Sequence, residues 1–148
     1  MPVSYVVDNE LEIVVVRLSG RIAKYEVMEA AAEMSRAMSP DRAYRSLLVF
    51  ESTADLSEMD AGALVEIHAA SKATARQRQQ RPRARAAVAD PAHDARLILP
   101  LWNALCETDP EPDLRYTLFE AAEAALAWLG IPEAEGLAAI AGTEQTSR

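Results

Sequence analysis

Apolar and polar positions change period several times along the chain. Val3 to Val7 alternates weakly, Asp8-Asn9-Glu10 has turn chemistry, and Leu11 to Leu18 is rich in β-branched residues. Together they predict an antiparallel hairpin, ended by Ser19-Gly20. From Ala23 to Met38 the residues Val27, Ala30, Ala31, Met34 and Met38 recur at helical spacing, and Ser39-Pro40-Asp41 stops them. Ser46 to Glu51 has almost no polar interruption, the pattern of a central strand covered on both faces. A helix from about Glu58 carries Leu64, Ile67, His68 and Ser71 on one stripe. It is predicted to last until Arg81-Pro82, because the residue before a proline avoids the helical region. Arg85 to Ala89 reads as a short strand. Asp90-Pro91 offers a cap and first position for a third helix, with Ile98, Leu101, Trp102 and Leu105 as its apolar face. Pro100 inside it predicts either a kink or a start nearer Pro100. Thr108 to Asp113 reads as a loop, Leu114 to Phe119 as a last strand and Glu120 to Leu129 as a last helix, closed by Gly130-Ile131-Pro132.

The order β-β-α-β-α-β-α-β-α predicts an α/β fold: a mostly parallel sheet with an antiparallel N-terminal edge strand, joined by right-handed crossovers. At 148 residues the chain suits one domain, placed at residues 1–131, with 132–148 expected as a mobile tail in which Leu137 and Ile140 form one docked turn. Half of the residues are hydrophobic and 26% charged, which excludes wholesale disorder. A net charge of -8 argues against nucleic acid as partner. The local exception is Arg76, Arg78, Arg81, Arg83 and Arg85, which reads first as cations complementing a helix C-terminus. Apolar runs such as Leu97 to Leu101 are too short to span a membrane, and Met1-Pro2-Val3 begins no signal peptide, so a cytoplasmic location is expected. The single Cys106 lies among apolar residues and reads as a small hydrophobe.

Two segments carry a family resemblance. The stretch DLSEMDAGALVEI, Asp55 to Ile67, follows the run Leu47 to Phe50, and the segment Leu114 to Phe119 is followed by EAAEAALAWLGI. Both resemble the STAS family, and within it the SpoIIAA-like branch of the STAS/Sec14-type fold, over roughly Tyr5 to Gly130. The resemblance implies a regulatory domain whose serine, at the start of the helix after the third strand, is phosphorylated by a partner kinase. The matching positions here read Asp60-Ala61-Gly62-Ala63-Leu64. Neither Ala61 nor Gly62 has a hydroxyl, so the phosphoserine switch is not expected. Ser57 and Asp60 instead fit a capping box, with Ser57 as the cap.

Catalytic signals are weak. Ser57, His68 and Asp90 would supply a triad only in composition, since no G-x-S-x-G elbow exists, and no enzyme activity is expected. His68 reads as a core or boundary residue, and His93 with Asp94 as first-turn polar residues near a strand end that suits ligands. No metal-ligand spacing, Gly-rich phosphate loop or dinucleotide fingerprint occurs, and no cofactor is expected. Two binding readings remain. One is a protein-interaction module using Asp55, Ser57, Glu58 and Asp60. The other is a carrier or sensor of a small hydrophobic or amphipathic ligand, as the resemblance to Sec14-type folds implies. In it Leu97, Leu99, Leu101 and Trp102 line a cleft beside Asp90, with Arg96 or Arg21 at its mouth. The two apolar stripes of Leu97 to Trp102 also suit a homodimer.

Overall fold

The computed structural model describes residues 2–80 and 83–146. Its elements run β1 (Val3–Asp8), β2 (Ile13–Leu18), α1 (Lys24–Ala37), β3 (Arg45–Phe50), α2 (Ala61–Gln77), β4 (Arg85–Val88), α3 (Ala95–Thr108), β5 (Thr117–Phe119), α4 (Ala122–Leu129) and α5 (Glu133–Thr146). The class is α/β. A five-stranded mixed sheet has the order β1-β2-β3-β4-β5, with β1 antiparallel to β2 and every other pair parallel.

Strand order decides where the helices go. Each crossover from β2 to β5 moves one place in the same direction, so right-handed connections stack α1, α2 and α3 on one face of the sheet. That face buries Leu18, Leu64, Ile67, Ala87, Leu99 and Trp102 in one core. No strand follows α4, which turns under the opposite face. There it joins α5 over Ile13, Val15, Leu47 and Val88 in a second core. The alternation of a strand is visible in β3, where Leu47 serves the second core while Leu48 and Phe50 pack against the first.

Several boundaries differ from the sequence expectation, each for a local reason. Helix α2 begins at Ala61 instead of Glu58, because Asp60 and not Ser57 is its cap: Asp60 Oδ1 accepts from the Ala63 N–H at 2.8 Å. It ends at Gln77, short of Arg81-Pro82, which lie outside the described residues. Helix α3 starts at Ala95, after Asp90 to Asp94 have made turns in which Asp90 Oδ1 accepts from the Ala92 N–H. It runs on through Pro100, neither starting at that proline nor ending there. The segment 114–116 is not strand; Asn103 holds the Tyr116 backbone from both sides, accepting at 2.9 Å and donating at 2.8 Å. Gly130 takes the left-handed conformation at φ 74°, as its position after α4 requires.

The largest departure is the C-terminal segment. Where a tail was expected, Glu133–Thr146 is helical, and Ala139 and Thr143 are buried. Small residues make this packing close: a Cβ on Gly136 would lie 2.5 Å from a methyl of the fully buried Leu126. The same smallness hid the helix, since α5 has almost no amphipathic contrast to read. Among the described residues no single helix is long and apolar enough to cross a membrane; α4 and α5 reach that length only as a pair bent by 119°.

Candidate functional site

Between the sheet and α1, α2 and α3 lies a cavity of about 230 Å³. Its walls come from β2 and β3 (Val16, Leu48), α1 (Ala30, Ala31, Met34), α2 (Leu64, Ile67) and α3 (Leu99, Trp102). The opening has a simple origin. Alanines occupy lining positions on α1 and α2, at Ala30, Ala31 and Ala75, where longer side chains would extend into the space. Flexible methionines surround them, and Met34, Met38 and Met59 all reach the lining. Trp102 is fixed there by its indole N–H, which donates to the Leu114 carbonyl at 2.8 Å.

Arg85 is the one charged residue of this lining among the described residues. It starts β4 beside Ser46 of β3, on the same sheet face as Ala87. Its guanidinium sits 4.4 Å from the centre of the Tyr116 ring and donates to the Tyr116 hydroxyl. The buried Nε of Arg85 has no acceptor among the described residues.

The sequence-derived ligand residues divide. Trp102 and Leu99 line the cavity. Leu97 and Leu101 do not: they face outward, 70% and 55% exposed. Of the four residues expected to line a cleft, the inner side of α3 supplies Leu99 and Trp102, and its outer side carries Leu97 and Leu101. Arg21 and Arg96 do not line it either. Arg21 is exposed and donates to Glu58 at 2.8 Å, while Arg96 donates to the Ala89 carbonyl at 3.0 Å. Asp90 is an exposed turn residue. The cation at the cavity is Arg85, from the arginine cluster that sequence reading assigned to a helix end. The register of β4 was needed to see that it faces inward.

The described members of that cluster are dispersed in space, and Arg81 lies outside the described residues. Arg76 donates to the Asp109 carboxylate at 3.0 Å and the Glu111 carbonyl at 2.8 Å, Arg83 to the Ala43 carbonyl at 3.4 Å, and Arg85 to Tyr116.

The second expected site, Asp55 to Asp60, is a turn pinned to the end of β2. The Asp55 N–H donates to the Gly20 carbonyl at 2.7 Å and the Ile22 N–H to the Asp55 carbonyl at 3.1 Å. The Ser57 backbone N–H, with its hydroxyl, holds the Asp55 carboxyl below the usual range. Asp55, Ser57, Glu58 and Asp60 are all exposed, yet the carboxylates of Asp55, Glu58 and Asp60 are committed to partners within the chain.

Ser57, His68 and Asp90 lie on three separate elements with their own contacts. His68 meets Trp102 edge-on, ring centres 5.5 Å apart, and its buried Nε2 has no partner among the described residues. Desolvation, with the nearby Lys72 charge, pushes its pKa down against a weaker pull from Asp109. His93 is a structural clamp: Nδ1 accepts from the Ala95 N–H, which leaves Nε2 to donate to the Ala54 carbonyl at 2.9 Å. Burial raises the Cys106 pKa and keeps the thiol protonated. No protein-family model matches the chain, and no curated protein matches it. Among the described residues, no group of three or more His, Cys, Asp and Glu side chains comes together as a metal site would require.

Proposed function

We propose that this protein is a non-enzymatic, cytoplasmic, SpoIIAA-like domain that holds a small hydrophobic or amphipathic molecule between its sheet and helices α1 to α3. The cavity carries this reading. Protein interiors seldom leave voids larger than a water molecule, whose share of liquid volume is about 30 Å³. A space of about 230 Å³ is far beyond a packing defect of that size. Its walls are mostly apolar, so water is a poor filler, and an apolar ligand would restore the missing contacts. Native mass spectrometry on protein purified from its own host tests this. Extra mass that disappears on denaturation is expected; a clean apo mass under gentle conditions, and no uptake of hydrophobic compounds offered in solution, would contradict it.

A second reading, a protein-interaction module or homodimer, is favoured by one observation: Leu97 and Leu101, one turn apart on α3, are exposed together. If that face is an interface, Leu101→Glu abolishes an oligomer seen by analytical ultracentrifugation. A monomer at all concentrations would leave the homodimer without support.

A further inference from the structure

The cavity is polar at one end only, and that end lies against a basic depression on the surface. Resting on the reading of the cavity as a ligand site, we propose that its ligand is an anionic amphiphile. It enters tail first between the C-terminal ends of α1 and α2, past Gln80, and keeps its head group beside Arg85 and Ser46.

The polarity follows from the register. Ser46 and Arg85 are paired neighbours at the N-terminal ends of β3 and β4. Ser35 and Thr74, late in α1 and α2, reach the lining at the same end, as does Gln80. The other end, where β2 and β3 finish and α2 begins, is walled by Leu18, Phe50, Leu56, Met59 and Leu64. An amphiphile fits such a space in one orientation. The buried Nε of Arg85, without an acceptor among the described residues, asks for one, and a charged acceptor makes the stronger hydrogen bond.

The way in is marked by shared walls. Ser35, Met38, Thr74 and Gln80 line both the cavity and an open depression whose rim carries Arg36, Arg42 and Arg78 and, among the described residues, no carboxylate. Guanidiniums near helix ends partly offset the negative end of the dipole. Arg42, however, belongs to no helix, and three cations with no acid stand out in a chain of net charge -8. Such a rim draws anions toward the mouth.

Gln80 is placed by the end of α2. Gln79 takes φ 54°, and the pair of bonds from Gln79 N–H to Arg76 carbonyl (3.2 Å) and from Gln80 N–H to Ala75 carbonyl (2.9 Å) closes a Schellman turn. That left-handed conformation strains a glutamine where a glycine would adopt it freely. The turn folds Gln80 back so that its amide donates to the buried Ser35 hydroxyl at 2.7 Å. One side-chain hydrogen bond and a 3.8 Å contact with the Met38 sulfur hold it. The other thin wall, at Arg85 and Tyr116, is held by the two Asn103 bonds, the ring contact and the Arg85 bond to the Tyr116 hydroxyl, and is the less easily opened.

The test uses the full chain and three probes with the same tail: dodecanoate, dodecanol and dodecyltrimethylammonium. Dodecanoate is expected to bind at least about tenfold more tightly than dodecanol, with the ammonium weakest. Arg85→Gln should remove the difference and Arg85→Lys should keep part of it. Gln80→Ala should raise the association and dissociation rates of dodecanoate by similar factors, leaving its Kd within about twofold. Because Arg85→Gln also breaks the Tyr116 contact, the exposed double variant Arg42→Gln/Arg78→Gln gives an independent measure: the salt dependence of dodecanoate association should fall. Equal binding of dodecanoate and dodecanol would overturn the head-group assignment and leave the cavity as a ligand site. Unchanged rates in Gln80→Ala would overturn the entrance. No binding of any probe would overturn both this proposal and the function on which it rests.

Discussion

At the residue scale, the cap of α2 is the carboxylate of Asp60 and not the hydroxyl of Ser57. Sequence spacing made Ser57 the cap, but the turn from Asp55 to Met59 is tied to Gly20 and Ile22, which delays the helix until Asp60 can reach the Ala63 N–H. Asp60→Ala is therefore expected to cost about 1 kcal/mol by chemical denaturation, and Ser57→Ala within about 0.5 kcal/mol. The reverse ranking would restore Ser57 as the cap. His68 sets a pH dependence. Its folded pKa is lowered by burial, so the unfolded chain takes up the proton first as pH falls. Stability from this residue is present above the unfolded value of about 6.5 and declines on acidification through that value toward the folded pKa. Melting temperatures followed from about pH 8 to pH 5 should show this decline, and His68→Leu should flatten it. Acid loss from Asp55 and Asp113, whose carboxyls are held low by Ser57 and Arg115, begins only at more acidic pH.

At the element scale, what was legible depended on contrast. The β-branched run Leu11 to Leu18, the uninterrupted Ser46 to Glu51 and the glycine after α4 gave strong local signals, and β2, β3 and the end of α4 stand within one or two residues of them. Helix α5 gave none. Its sequence, EAEGLAAIAGTEQT, is small and polar by composition, and only the opposite sheet face, left open by three crossovers on one side, explains why it docks. Gly136→Ala separates a docked helix from a loose tail. On an unpacked helix the change is worth up to about 1 kcal/mol of added stability. Against Leu126 the new Cβ has no room, so a loss of about 1–3 kcal/mol in urea unfolding is expected, and a gain would contradict the close packing of α4 and α5.

At the scale of the whole molecule, the sheet divides the protein into a closed core under α4 and α5 and an open one under α1 to α3. The cavity was not legible in the sequence, because a void is a sum of volumes over α1, α2, α3 and the sheet, whereas hydrophobic patterning records only which side each residue faces. Trp102 was found because it follows that pattern, and Leu99 entered only with the expected cleft, off the stripe read on α3; Arg85 was missed because an arginine opening a short strand has no periodicity to announce its face. Ala30→Leu should place extra methyl groups in the open space, leaving stability unchanged or raised by about 1 kcal/mol while weakening ligand uptake. A loss of several kcal/mol would mean that the space is not there to fill. The most direct measurement is a dodecanoate titration followed by NMR on protein labelled at its methionine methyls. Met34, Met38 and Met59 line the cavity and Met28 does not, so each spectrum carries its own control. Saturable shifts at the first three with Met28 still would place the ligand inside. Shifts at none of them, or at Met28 alone, would contradict a ligand site between the sheet and α1 to α3.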